Sequence, residues 1–209
     1  MGASGNSARR GGLDLLRAVA VVAVLLYHAD DLLTGGLLGV TVFFTLSGFL
    51  ITGQLWSELG ATGRVDLGAF WSRRVRRLVP PSLVTVGVVA VLWPVLGYHL
   101  PAGDVLGSLL PVRNWVMLAD HTAYGASPSP TAHFWSLAVE EQIYLVLPMV
   151  VWVAHRRLGR VGTVIGLSCV AVASLAAGAV LAASGQLDRA YLSTGTRLGE
   201  LVAGAALAV

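Results

Sequence analysis

Long apolar stretches, separated by short polar segments that carry arginine, run along the whole chain. A helix needs roughly 17–25 mostly apolar residues to cross the hydrocarbon core of a bilayer. Six stretches meet this requirement, at residues 13–29, 37–55, 78–97, 134–154, 161–183 and 191–209. The pattern therefore predicts an all-α fold, a polytopic transmembrane helical bundle of about six spans.

The composition supports a membrane protein and narrows the function. Of the 209 residues, 56% are hydrophobic and 12% are charged, whereas soluble domains carry about a quarter charged residues. The net charge is only +3, and the basic residues sit at helix ends and in loops, so no nucleic-acid partner is expected. The single Cys169 excludes an intrachain disulfide, and no metal site is expected.

The amino-terminal end carries Arg9 and Arg10 before the first apolar stretch, and no small-x-small cleavage site follows that stretch. We therefore predict an uncleaved first span, with residues 1–12 as a cytoplasmic tail and residues 13–209 as one membrane domain. The last apolar stretch is still running at Val209, so we expect this domain to be incomplete at its carboxyl-terminal end.

The basic residues also predict the orientation of the helices, since cytoplasmic loops carry an excess of arginine. The later clusters comprise Arg64, Arg73, Arg74, Arg76 and Arg77, followed by Arg156, Arg157 and Arg160. Residues 105–119 form a shorter apolar stretch that Pro111 interrupts. All the basic clusters lie on the cytoplasmic side only if this stretch does not cross the membrane. We expect an interfacial or re-entrant segment there, which leaves residues 98–133 as one external segment.

Two ionisable residues lie within the first span, Arg17 and His28. Eleven residues are about three helical turns, so both side chains share one helix face about 16 Å apart along the axis. Each has an ordinary explanation. Arg17 can extend its side chain to the membrane interface or pair with Asp14, and His28 can be an interfacial histidine. Together they also fit a polar channel across most of the bilayer.

Four arginines occupy five positions before the third apolar stretch, at residues 73–77. The excess of arginine in cytoplasmic loops explains part of this cluster. Helical spacing places Arg73, Arg76 and Arg77 on one side, and guanidinium groups bind phosphate oxygens in pairs of hydrogen bonds. The alternative interpretation is a site for a polyphosphate ligand at the cytoplasmic mouth of the bundle.

A third polar cluster opens the span at residues 134–154. His133, Ser136 and Glu140 share one helical face, and Glu141 points elsewhere. An interfacial, solvated turn is the simpler explanation, but two acids in an apolar helix are hard to explain as packing. We expect this face at the outer side near His28, so that phosphate binding and acid–base chemistry lie at opposite sides of the membrane.

The order of these motifs resembles the membrane-bound acyltransferase family 3. The matching stretches are Arg17 with His28, residues 43–51 (FFTLSGFLI), residues 73–80 (RRVRRLVP), residues 134–142 (FWSLAVEEQ) and residues 194–201 (TGTRLGEL). The resemblance implies an integral membrane enzyme, a multi-pass protein of the bacterial plasma membrane. The family domain has about ten helices, so this chain is expected to lack the later ones.

The resemblance also implies a reaction, transfer of an acyl group from acyl-CoA, commonly acetyl-CoA, to a hydroxyl. The expected acceptor contains carbohydrate: a polymer, a glycolipid or a glycosylated metabolite. Acyl-CoA is a donor substrate, and no permanently bound cofactor is expected. Membrane lipid is the other partner.

The resemblance assigns roles to particular residues. It implies donor binding by Arg17, Arg73, Arg74 and Arg77 and catalysis by His28, as a general base or a transient acyl carrier. Glu140 is expected to orient His28 or position the acceptor, with Ser136 as a hydrogen-bond partner. Two alternatives remain at this point, a transporter or channel component and an inactive truncated membrane protein.

Overall fold

The computed structural model describes residues 3–29, 33, 35–121 and 129–209, with side chains from residue 11 onward. Residues 1–2 of the predicted tail and residues 122–128 of the predicted external segment lie outside the described residues. Within the described ranges the helices are α1 (Ala3–His28), α2 (Leu38–Thr62), α3 (Leu67–Val95), α4 (Ala102–Leu109), α5 (Arg113–Ala119), α6 (Phe134–Arg157), α7 (Gly159–Ala183), α8 (Leu187–Leu192) and α9 (Thr194–Ala208).

Five of these helices are long and apolar enough to cross a membrane: residues Gly11–His28 of α1, together with α2, α3, α6 and α7. Each overlaps one of the first five predicted spans, so the predicted all-α, multi-pass architecture is confirmed. Helix α3 begins well before the predicted span because Asp66 caps it, its side chain accepting a hydrogen bond of 2.8 Å from the backbone N–H of Ala69. The arginine cluster is therefore part of the helix.

The stretch predicted as a sixth span is divided in two. The backbone of Ser193 is extended, with φ −72° and ψ 135°, which separates α8 from α9. Helix α9 runs from Thr194 to Ala208, one residue before the end of the sequence. The apolar pattern continues through this point, so hydropathy alone does not reveal the break.

The ends of α2 and α6 lie together, which supports the predicted orientation. The rings of Trp56 and His155 are 4.6 Å apart, and the side chain of Arg156 donates a hydrogen bond of 3.4 Å to the backbone oxygen of Gly63. The basic loops that follow α2 and α6 are therefore on the same side of the bundle. Residues 105–119 fall in two short helices that cannot cross, as expected.

Close contact between α2 and α9 organises the core. A Cβ atom added at Gly48 would lie 1.8 Å from the backbone oxygen of Leu201, and one added at Gly204 would lie 1.9 Å from that of Thr45. Only glycine permits the two backbones to approach this closely. The neighbouring core contains Phe44, Trp135 and other buried apolar residues.

Buried polar contacts hold the segment between α3 and α6 against the bundle. Arg113 and Asp104 form an ion pair of 2.8 Å in which both side chains are almost fully buried. The Ser129 hydroxyl lies between them, accepting from Arg113 at 3.0 Å and donating to Asp104. This pairing joins α4 to α5 and anchors the residues that precede α6.

Gln142 connects this segment to α6. Its amide nitrogen donates to the backbone oxygen of Pro111 at 2.8 Å and to the side-chain oxygen of Asn114 at 2.9 Å. Its amide oxygen accepts from the Trp115 ring nitrogen at 3.1 Å and from the Thr194 hydroxyl at 2.5 Å. Gln142 is therefore a structural residue that ties α5, α6 and the start of α9 together.

Substitution of Gly48 tests the contact between α2 and α9. Gly48→Ala is expected to lower the free energy of unfolding by about 1–3 kcal/mol, because the new methyl group overlaps the Leu201 carbonyl. Thermal unfolding of the purified protein in detergent measures the effect. Gly60→Ala is the matched control on the same helix, since no atom lies within 4 Å of its Cβ position. Equal stability of the two variants would contradict the proposed contact.

The role of Gln142 predicts a local effect. Gln142→Leu should leave several buried polar groups without partners, at a cost of about 1–3 kcal/mol each, and should loosen α4 and α5. Hydrogen exchange in residues 102–119 is the measurement, with faster exchange expected. Glu141→Gln changes the preceding residue, which takes no part in the four Gln142 contacts, and serves as the control. Unchanged protection in Gln142→Leu would show that other contacts hold the segment.

Candidate functional site

A cavity of about 510 Å³ opens among α1, α2, α3 and α6, and we call it the arginine cavity. It is lined by Leu13, Asp14, Arg17, Ser47, Leu50, Ile51, Gln54, Phe70, Arg73, Arg74, Arg77, Leu78, Glu140 and Tyr144. Its volume is within the range of small-molecule sites. The structure thus brings together Arg17, Arg73, Arg74 and Arg77, the four arginines to which the family resemblance assigned donor binding.

Arg74 is the most firmly held of these arginines. Its guanidinium lies over the Tyr144 ring, 4.5 Å from the centroid, and 5.3 Å from the centroid of Phe70. Both distances are typical of cation–π contacts, which favour a fixed orientation of the planar group. Arg74 therefore presents its charge to the cavity from a defined position.

The face of α3 that meets the cavity differs from the expected one. Helical spacing grouped Arg73 and Arg77 with Arg76, but the cavity is lined by Arg73, Arg74 and Arg77. Arg76 instead donates a hydrogen bond of 3.2 Å to the backbone oxygen of Ser72. Spacing defines only which residues are neighbours, whereas the rotation of α3 about its axis decides which of them face the cavity.

Glu140 lies in the arginine cavity and not at the level expected for His28. One carboxylate oxygen accepts a hydrogen bond of 2.9 Å from Ser47, and the other accepts one of 2.9 Å from the Tyr144 hydroxyl. Glu140 shares a face with His133, but seven residues carry it about 10 Å further along α6. This separation places it beside the predicted inner arginines, and its assigned catalytic role stays a prediction.

The electrostatics of the cavity favour an anion. Four guanidinium groups line it together with two acidic side chains, Asp14 and Glu140. Arg17 and Asp14 are 3.8 Å apart and both partly exposed, so this pair is weak. The positive excess in a concave, partly apolar site concentrates an anionic ligand.

His28 ends α1 and is exposed on the outer side of the bundle. Its Nδ1 lies 2.8 Å from the backbone oxygen of Val24, and its ring meets that of Tyr27 edge to face at 5.4 Å. A carbonyl oxygen only accepts, so this contact requires the proton on Nδ1. In the neutral ring Nε2 is then the nitrogen that can accept a proton.

A second opening, of about 290 Å³, lies between the outer parts of α3 and α6, and we call it the outer pocket. It is lined by Leu78, Pro81, Ser82, Thr85, His133, Phe134, Ser136 and Leu137. Ser136 also donates a hydrogen bond of 3.2 Å to the backbone oxygen of His133. Imidazole and hydroxyl groups therefore dominate its polar lining.

The electrostatics of His133 link this pocket to His28. Desolvation by the surrounding protein lowers the pKa of His133, the nearby His28 lowers it further, and a hydrogen bond to the Pro130 backbone raises it. The two imidazoles are therefore close enough for their charges to interact. Ser136 lies on the same side as His28, as expected, whereas Glu140 lies deeper.

Arg197 and Glu200 form a buried ion pair outside both openings. Arg197 also donates to the backbone oxygen of Tyr191 at 2.8 Å and lies over that ring at 4.2 Å, while Thr41 donates to Glu200 at 3.0 Å. These contacts connect α8, α9 and α2. Arg197 and Glu200 are thus a buried structural pair.

Two residues of the arginine cavity were not singled out for it from the sequence. Ser47 lies within the stretch at residues 43–51, and its hydroxyl donates a hydrogen bond to Glu140. Tyr144 follows Glu140 by four residues, a spacing that brings side chains into contact on a helix and could have revealed the pair. No comparable signal connects Ser47 with a residue 93 positions away.

Comparisons with known proteins find bacterial O-acetyltransferases among the similar sequences. The O-acetyltransferase OatA of Staphylococcus aureus is 37% identical over 204 residues, covering 94% of this chain and 34% of its own length. The "Putative peptidoglycan O-acetyltransferase YrhL" of Bacillus subtilis is 37% identical over 209 residues, covering 95% of this chain and 33% of its own length. The chain thus spans about a third of the length of these curated relatives.

No solved structure matches the chain significantly. The family model described as "Acyltransferase domain", that of acyltransferase family 3, matches residues 10–208, nearly the whole chain. The bacterial relatives of the chain and the five long apolar helices among its described residues identify a multi-pass bacterial membrane protein. The chain therefore belongs to acyltransferase family 3.

Proposed function

We propose that the protein is a membrane O-acyltransferase that moves an acyl group, most simply acetyl, from acyl-CoA to a hydroxyl of a carbohydrate-containing acceptor. The observation that carries this proposal is the arginine cavity, in which four guanidinium groups meet in one concave site. Membership of an acyltransferase family supports the class of reaction. The donor and the acceptor are argued from the chemistry of the two openings.

The donor is proposed from the charge and position of the arginine cavity. The nucleotide end of CoA carries several phosphate groups, and arginine binds such groups through charge-assisted, bidentate hydrogen bonds. The arginines of α3 follow the basic loop after α2, which the positive-inside rule places in the cytoplasm. A cytoplasmic CoA ester therefore meets the cavity from the side on which it is made.

The chemical step is proposed at His28. Nε2 accepts the proton of the acceptor hydroxyl as its oxygen attacks the thioester carbonyl carbon. The carbon–sulfur bond then breaks, and the imidazolium returns the proton to the CoA thiolate, which leaves as the thiol. A covalent acyl-histidine is the other route by which the same residue can act, and trapping of an acylated protein distinguishes the two.

The acceptor is proposed from the outer pocket and the relatives. His133, Ser136, Ser82 and Thr85 present hydroxyl and imidazole groups that can bond to the hydroxyls of a sugar. One relative is named for peptidoglycan O-acetylation, and the other is an O-acetyltransferase. An envelope carbohydrate such as peptidoglycan is therefore the acceptor class that we propose.

Glu140 is proposed as a positioning residue of the donor site. Its carboxyl group bonds to Ser47 and Tyr144, and the Tyr144 ring supports Arg74. These contacts connect α2, α6 and α3 at the cavity wall. An effect of Glu140 on the reaction would then act through the orientation of Arg74.

The phosphate role of α3 predicts a loss of donor affinity. Arg73→Gln together with Arg77→Gln should weaken CoA binding at least about tenfold, because a hydrogen bond to a charged group contributes about 1.5–3 kcal/mol. Binding of labelled CoA to the purified protein in nanodiscs is the measurement. Arg76→Gln removes a charge from the same helix outside the cavity and should bind CoA normally. Equal affinity of the double variant and the wild type would refute the donor site.

Substitution of His28 separates binding from chemistry. His28→Ala should reduce transfer by about 100-fold or more, the contribution of a general base, while CoA affinity and membrane insertion stay normal. Transfer is followed as labelled acetyl groups appearing on envelope glycans, analysed by mass spectrometry. His99→Ala, an exposed histidine beyond the end of α3, is the control. Normal acetylation by His28→Ala would remove this residue from the mechanism.

A further inference from the structure

The arginine cavity and the outer pocket are both lined by α3 and α6, and they follow one another along these two helices. On α6 the first reaches outward to Glu140 and the second reaches inward to Leu137. Three helical residues correspond to a rise of about 4.5 Å. The two spaces are therefore separated by less than one turn of helix.

Leu78 of α3 is the residue that both spaces share among the described residues that line them. It also borders a narrow side pocket of about 110 Å³, which runs past Val75, Val79 and Leu145. Leu78 is half-buried, so one part of its side chain faces protein and another faces the openings. Its position makes it the dividing point between them.

The side chains that α3 presents to the two spaces differ on either side of Leu78. Arg77 lies immediately before Leu78 and lines the arginine cavity, whereas Ser82 and Thr85, one and two turns later, line the outer pocket. An isobutyl group between them offers no hydrogen bond to a phosphate or to a sugar. It can contact an apolar chain, and it limits the passage of water and charged groups.

The backbone at this level is also unusual. Pro80 and Pro81 lie within α3, and proline has no backbone N–H to donate. The carbonyl groups of Arg76 and Arg77 therefore lack their normal helical hydrogen bonds from four residues ahead. The missing bonds weaken the helix beside Leu78, so less energy is needed to bend α3 there than elsewhere.

We infer that Leu78 forms the constriction through which the acyl-bearing arm of the donor passes from the arginine cavity to the outer pocket, and that its side chain limits the size of the acyl group transferred. The inference rests on the proposed function, because it requires a donor held at the arginines. It assigns specificity to a residue that binds neither phosphate nor acceptor.

A size series at position 78 tests the constriction. Leu78→Ala, Leu78→Phe and Leu78→Trp should all bind adenosine 3′,5′-bisphosphate, the nucleotide end of CoA without its arm, as the wild type does, because the four arginines are unchanged. Acetyl transfer should fall as the side chain grows, by about tenfold or more for Leu78→Trp. Leu78→Ala should raise the ratio of butyryl to acetyl transfer by a similar factor. Val84→Trp, at an exposed position on the same helix, is the control.

The outcomes distinguish the inference from the function on which it rests. Wild-type protein that binds no CoA or transfers no acyl group would overturn the proposed function. A functional wild type with normal transfer by Leu78→Trp would overturn the constriction alone, as would loss of adenosine 3′,5′-bisphosphate binding in that variant. Should Leu78→Trp fail to fold, the acyl-length profile of Leu78→Ala decides, and a wild-type profile counts against the inference.

Discussion

The cost of placing charge in a bilayer is the constraint on which this structure depends. An ionised side chain in the apolar core must find a partner or a water-filled space. Burial inside the protein imposes the same condition. Two buried arginines meet it by pairing, Arg113 with Asp104 in the segment between α3 and α6, and Arg197 with Glu200 in α9. The arginine cavity is different, because its four guanidinium groups exceed the carboxyl groups that line it. A site with excess positive charge is suited to a ligand that brings negative charge.

Apolar length and helical period predict much of the fold because they are local properties. They predict five of the spans, the non-crossing stretch at residues 105–119 and the common side of the basic loops after α2 and α6. They do not predict the break at Ser193, since it depends on backbone conformation within an apolar run. Similarly, spacing places Glu140 and His133 on one face but does not show that the neighbours of Glu140 are Ser47 and Tyr144. Contacts between distant parts of the chain decide that point.

The difference between local spacing and long-range contact also explains the polar residues at 140–142. Three adjacent polar residues in an apolar helix suggest one chemical purpose, yet the structure separates them. Glu140 faces the arginine cavity, Glu141 lines the side pocket next to it, and Gln142 bonds to α5 and to Thr194. Adjacent residues on a helix point about 100° apart, so a run of polar residues addresses several neighbours at once. A run of adjacent polar residues can therefore combine a ligand site with structural contacts.

The walls of the arginine cavity differ in how firmly they are held. Helices α2 and α6 are the best buried of the five spans, and they carry Ser47, Glu140 and Tyr144. Little of α1 and α3 is buried, although these helices carry Arg17, His28 and the arginine cluster. Elements with few buried contacts open at lower free energy than the core. The residues assigned to the donor and to chemistry thus lie on the less constrained wall, opposite a fixed wall that orients Arg74 through Tyr144. This arrangement allows the arginine cavity to widen for a long, thin donor without disrupting the α2–α9 contact that holds the bundle together.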